Sequence, residues 1–139
     1  METAAKVLYG LIHARYILTA RGMQRMLDKY EDAGFGRCPR VLCQDQFCLP
    51  LGLSDLKRSY PLNIYCPRCQ EIYIPRSTKH AALDGAYFGT TFAHIFLLTY
   101  PDLIPRIPSS SSNAYSPDAY VPKIYGFRIH KDSCYYKLR

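Results

Sequence analysis

Four of the six cysteines in this 139-residue chain are placed to do chemistry together. Cys38 and Cys43 are separated by four residues, Cys66 and Cys69 by two, and 22 residues lie between the pairs. Two close cysteine pairs split by one hairpin's worth of chain are the sequence sign of a structural zinc site. Thiolate sulfurs bind Zn²⁺ tetrahedrally at about 2.3 Å, and four of them leave no position open for water or substrate. The chemistry expected of Cys38, Cys43, Cys66 and Cys69 is therefore structural, with one zinc ion per chain. Ordinary buried thiols are the plainer alternative. A redox role for Cys66 and Cys69 would call for a C-x-x-C that opens a helix, and the flanking residues look like strand. Cys48, between Phe47 and Leu49, reads as a core thiol, and Cys134 as a free one.

Around these residues the chain must build two turns that aim sulfurs inward. Pro39 and Pro67 each follow the first cysteine of a pair, where a fixed φ suits a tight turn. Residues 60–65 and 71–74 have strand composition on either side of the second turn, and Pro75 ends the latter. Upstream, Val7, Leu8, Leu11, Ile12 and Leu18 recur at three- and four-residue steps, predicting an amphipathic helix over 4–18 with Gly10 inside it. A break at 19–22 precedes a second helix over 23–32, carrying Met23, Met26, Leu27 and Tyr30 on one stripe, with Gly34 as its stop. Residues 92–100 are apolar nearly all round. They read as a short helix, with Thr90 and Thr91 as N-cap candidates and Pro101 as its end.

A Pro/Ser linker follows through Pro105, Pro108 and 109–112. Tyr125, Phe127 and Ile129 then alternate with their neighbours as a strand with two aromatics on one face, Gly126 permitting close backbone approach. The expected class is α+β: helices packed beside a four-cysteine zinc-ribbon module, with a C-terminal extended strand or tail. The expected parts are a helical segment at 1–34, the ribbon with a short helix at 35–104, and a linker with a docking segment at 105–139.

The formal net charge is +7, falling to about +5 with four thiolates and a divalent ion in place. The basic residues are scattered and no run of Lys or Arg exceeds two, which suits a solvated surface. A zinc-ribbon nucleic-acid binder is the alternative function, with Arg37, Arg40 and Arg68 on phosphates and nearby tyrosines stacking on bases. The longest uncharged run, 85–101, contains His94 and falls short of the ~20 apolar residues a membrane span needs. No secretory signal is visible, so an intracellular protein is expected, where paired cysteines favour zinc over disulfides. There is no glycine-rich phosphate loop and no kinase signature, and His13, His80, His94 and His130 are isolated, so no enzyme is expected.

Several longer motifs resemble the regulatory (beta) subunit family of casein kinase II. They are the run Leu8 to Leu18 (LYGLIHARYIL), Cys38-Pro39-Arg40 to Cys43, and Leu53-Ser54-Asp55. Leu62 to Cys69, Asp84-Gly85-Ala86-Tyr87-Phe88-Gly89-Thr90 and Tyr125-Gly126-Phe127-Arg128-Ile129 follow in the same order. The resemblance implies helices beside a zinc ribbon and a subunit that is not itself a kinase. It implies a homodimer formed through the ribbon, which docks two catalytic subunits and alters their stability, activity and substrate choice. By matching position, Cys38, Cys43, Cys66 and Cys69 are the implied zinc ligands. Pro39, Val41, Leu53 and Ile72 are the implied dimer contacts, and Tyr125 and Phe127 the implied anchors in the catalytic subunit. Kinase substrates are further implied partners, with no membrane partner and a location in nucleus and cytoplasm. The family's N-terminal helical portion and acidic segment are missing from this sequence, so it is expected to be a piece of a longer protein or a short relative. The stretch between the last prolines and Tyr125 is also longer than the family pattern, which costs little closure entropy but changes reach.

Overall fold

The stripe of Met23, Met26, Leu27 and Tyr30 does make a helix. In the computed structural model, which describes residues 4–105, 123–130 and 132–133, helix α2 spans Ala20–Glu31 and buries Met23, Met26 and Tyr30. It starts three residues earlier than the sequence predicts because Thr19 caps it, its Oγ1 accepting from the Gly22 amide at 3.2 Å. Its C-terminus closes as a Schellman motif. The Gly34 amide donates to the Lys29 carbonyl at 2.8 Å and the Ala33 amide to that of Tyr30 at 3.0 Å. Ala33, with φ 55°, takes the left-handed place that the sequence assigns to Gly34.

Helix α1 spans Ala4–Tyr16, as its spacing predicts, but it does not bury the predicted face. Leu8, Tyr9, Leu11 and Ile12 are all exposed. The helix instead meets the rest of the chain through Gly10, where a Cβ would stand 2.3 Å from the Tyr87 ring. That close approach is the reason for a glycine in mid-helix, where it otherwise costs about 1 kcal/mol against alanine. His13 fixes the same contact by donating through Nδ1 to the Tyr87 carbonyl at 2.8 Å.

Three short antiparallel strands follow: β1 (Leu49–Leu51), β2 (Asn63–Tyr65) and β3 (Ile72–Tyr73), in the order β1-β2-β3. The register pairs Leu49 with Tyr65, Pro50 with Ile64 and Ile64 with Tyr73. Alternation sends successive side chains to opposite faces, and here the two faces meet different interiors. Leu49, Leu51 and Tyr65 join an apolar core with Ile17, Met23, Met26, Tyr30, Phe92, Ala93 and Phe96. Ile64 and Tyr73 join the cysteines. The small sheet is thus a wall between an apolar core and a sulfur cluster.

Helix α4 (Phe92–Thr99) supplies Phe92 and Phe96 to the apolar side, both fully buried, with Tyr30 against Phe96 at 5.6 Å between ring centroids. Thr91 occupies its N-cap position without a side-chain cap bond. Thr90 is used elsewhere: its amide donates to Asp55 Oδ1 at 3.0 Å. That bond belongs to a seam joining residues 52–62 to 83–90. Gly52 N donates to Gly89 O at 3.0 Å, Leu62 N to Leu83 O at 2.8 Å, and Arg58 N to Asp84 Oδ2 at 2.6 Å. The two segments of the seam lie so close that a Cβ on Gly52 would overlap the Gly85 carbonyl oxygen. A one-turn helix, α3 (Thr78–Ala81), precedes the second segment of the seam.

The chain forms two compact units, residues 1–107 and 108–139. Within the second, the predicted single strand is a hairpin, β4 (Lys123–Ile124) and β5 (Phe127–Arg128). Tyr125 and Gly126 are its two-residue turn, with φ of 48° and 85°, the positive pair a type I′ turn requires. Tyr125 therefore sits at the tip rather than on a strand face, and Phe127 is paired with Ile124. The Pro/Ser linker beyond Pro105 and Cys134 lie outside the described residues.

Candidate metal centre

Each cysteine pair is presented by a turn that reverses through left-handed backbone. In the first, Arg37 bridges to Phe47, Cys38 N donates to Gln46 O at 2.8 Å and Cys48 N to Gly36 O at 3.1 Å. After Pro39 a 3₁₀ turn at Val41–Cys43 forms, with Cys43 N on Arg40 O at 3.0 Å, and Gln44 and Asp45 (φ 50° and 56°) turn the chain back. In the second, Cys66 N donates to Glu71 O at 3.0 Å and Gln70 N to Cys66 O at 2.9 Å, with Gln70 at φ 59°. Arg68 steadies one turn against the other through an Nη1 bond to Gln44 Oε1 at 3.1 Å.

The four sulfurs of Cys38, Cys43, Cys66 and Cys69 lie within 4.8 Å of one another, and the first three residues are buried. Cys38 and Cys69 Sγ are 3.9 Å apart. Four sulfurs at about 2.3 Å from one tetrahedral ion would be separated by roughly 3.8 Å, the separation that Cys38 and Cys69 show, so a small inward shift of the others would close the cluster around an ion. The described cysteines are all free of disulfides. Among the described residues no other set of three or more Cys, His, Asp or Glu is placed in this way. The four cysteines are positioned to bind a metal ion, and an all-sulfur, four-donor set favours a soft or borderline tetrahedral cation.

Electrostatics give the same account. Burial pushes the Cys38 and Cys43 thiols up from their ordinary range. Cys66 is drawn down to about 4, chiefly by a hydrogen bond from Cys48. A divalent cation at their centre would allow all four sulfurs to ionise. Tyr73 closes the outer layer with its hydroxyl 3.3 Å from Cys69 Sγ, a bond that pushes the phenol up. Sequence reasoning missed Tyr73 and treated Cys48 only as a core thiol. The signal for Tyr73 was its place four residues beyond Cys69 on a predicted strand.

The remaining predicted residues fall on the surface of this unit or on the hairpin of the other. Pro39 is exposed, Val41 is 90% exposed, and Leu53 and Ile72 are about half exposed. They are not buried within the chain. Tyr125 is 98% and Phe127 79% exposed. Of the arginines considered for phosphate contacts, Arg37 lies over the Phe47 ring at 5.0 Å and Arg68 serves the turn pairing above. Among the described residues no helix is long and apolar enough to cross a membrane.

A small antiparallel sheet beside four cysteines positioned to bind a metal ion, backed by helices, defines the class. The casein kinase II regulatory subunit family model matches residues 1–128. The chain is 53% identical over 133 residues to casein kinase II subunit beta of Dictyostelium discoideum, covering 96% of this chain and 47% of that one. It is 55% identical over 131 residues to subunit beta-3 of Arabidopsis thaliana (94% and 45% covered). With subunit beta of Schizosaccharomyces pombe it shares 49% over 137 residues (99% and 56% covered). The chain belongs to the casein kinase II regulatory subunit family. It spans about half the length of the curated relatives it matches.

Proposed function

We propose that this chain is a non-catalytic subunit of a casein kinase II-type protein kinase. In this reading it holds one structural zinc ion, pairs with a second copy through the ribbon, and docks catalytic subunits through the hairpin at 123–128. Docking then modulates the stability, activity and substrate choice of the kinase. The observation that carries the reading is the extent of the family match, which takes in both the sulfur cluster and the hairpin as far as Arg128.

Cys38, Cys43, Cys66 and Cys69 would hold the zinc, whose contribution is to fix the two turns against each other. Val41 on the 3₁₀ turn and Ile72 on β3 offer apolar area next to that centre, and burying such area is the main drive for association. The hairpin supports the docking role in a particular way. Tyr125 is a non-glycine residue in left-handed backbone at a fully exposed tip, and such conformations cluster where recognition is built. Ile124 and Phe127 sit opposite each other across the hairpin, giving a partner groove three apolar anchors rather than two.

The test is to mix the chain with a purified casein kinase II catalytic subunit and measure complex mass by native mass spectrometry at about 50 and about 200 mM salt. Two chains with two catalytic subunits, stable across that range, is the expected result. A chain dimer with the catalytic subunit left free overturns the docking role. A complex that dissolves between those salt levels points to charge pairing instead of apolar docking, since phosphate-type contacts weaken steeply over that interval.

A further inference from the structure

Cys48 is a fifth sulfur at a four-sulfur centre. It is 1% exposed and packs in one buried cluster with Cys38, Cys43, Cys66 and Ile64. Its position follows from the ladder: Leu49 faces Tyr65, so one step outward Cys48 faces Cys66. Neither amide of that pair bonds to the other residue. Cys48 N goes to Gly36 O and Cys66 N to Glu71 O. A pair opposed in this way is the close kind, with Cα atoms typically about 4.5 Å apart, and alternation puts both side chains on the sulfur face with Ile64.

We infer that Cys48 is a positioning residue for the metal centre, its thiol donating an S–H···S hydrogen bond to the Cys66 sulfur and so orienting that ligand and slowing loss of the ion. The inference rests on the zinc reading above and adds a residue that is not itself a ligand. Two acceptors compete for the Cys48 proton. The Gln46 carbonyl lies at 3.8 Å, a long contact even for sulfur. The Cys66 sulfur is the other, on the residue directly across the ladder and in the same buried cluster. A metal-bound thiolate keeps lone pairs and negative charge, so it is the stronger acceptor of the two. The bond does two things. It fixes the direction in which the Cys66 lone pairs point, and it draws electron density from the sulfur, as outer-layer donors do at metal sites. Burial keeps water from replacing it.

The experiment compares the wild-type chain with Cys48→Val, which fills the space without a donor, and Cys48→Ser, which restores one. Two readouts are taken on folded protein: the rate of zinc transfer to a chromogenic chelator, and the sulfur-to-metal charge-transfer band after cobalt(II) substitution. Cys48→Val should release zinc about 10- to 100-fold faster and move the cobalt band to lower energy, because a thiolate that loses a hydrogen bond gives up its electrons more readily. Cys48→Ser should return both towards wild type. Wild-type rates and band in Cys48→Val overturn the inference while leaving the centre intact, as does a Cys48→Ser chain that behaves like Cys48→Val. A wild-type chain that folds with no ion and shows no cobalt band overturns the centre and the role of Cys48 together.

Discussion

The two faces of the β1–β3 sheet are stabilised by different physics. On one side Leu49 and Tyr65 pack against Phe92, Phe96, Met23, Met26 and Tyr30, an interior held by burial of apolar area. On the other, Ile64 and Tyr73 border a group of cysteines with little apolar area between them. Three strands of two or three residues cannot stand as an independent sheet. Each face depends on the other through a shared wall, and only one face has a core of its own.

That contrast is open to direct tests. The largest effect is expected from taking the ion away, by a strong chelator or by Cys66→Ser. Structural zinc contributes about 10–16 kcal/mol of apparent folding free energy in small modules, so residues 36–73 should lose amide protection against hydrogen exchange. Because β1 and β2 also wall the apolar core, protection in α2 and α4 should fall as well, though less. Full protection of α2 and α4 in the metal-free chain would show that the wall is not shared.

Phe96→Ala strikes the other face. Removing a fully buried phenylalanine should cost about 3–5 kcal/mol by denaturant unfolding, with metal content unchanged at temperatures where the variant is folded. Loss of the ion in step with the core would mean that the two faces act as one. Phe127→Ala should weaken catalytic-subunit binding by about 2 kcal/mol in calorimetry and leave the melting temperature alone, since the side chain is largely exposed. Thr19→Ala should cost about 1 kcal/mol through loss of the α2 cap, and equilibrium unfolding of the folded, metal-loaded protein would measure it.

What could be read in the sequence follows the same division. Cysteine spacing is a strong local code, and the four sulfurs meet as expected. The stripe on α2 is equally plain, because the helix buries Met23, Met26 and Tyr30; the run at α4 is apolar nearly all round, and only the structure shows that Phe92 and Phe96 are buried while Leu98 is exposed. Strand β1 gives no such sign. Its sequence is Leu-Pro-Leu followed by Gly52, poor strand formers that hold their place through register with β2 and the seam to Gly89. The seam itself joins residues about thirty apart, beyond the reach of any periodicity. The hairpin misled for another reason: apolar alternation in 124–130 mimics a strand, while the left-handed backbone of Tyr125 is unusual for an aromatic residue and leaves no mark in composition. Cys48 was legible as a buried thiol; its place opposite Cys66 required the ladder.

The claim on which the rest depends is that an ion organises the sulfur face. Metal analysis of the folded, purified chain, paired with native mass spectrometry, tests it most directly. One zinc per chain, absent from Cys66→Ser, is the predicted result. A folded chain with β1–β3 protected from exchange and no metal at Cys38, Cys43, Cys66 and Cys69 would contradict it.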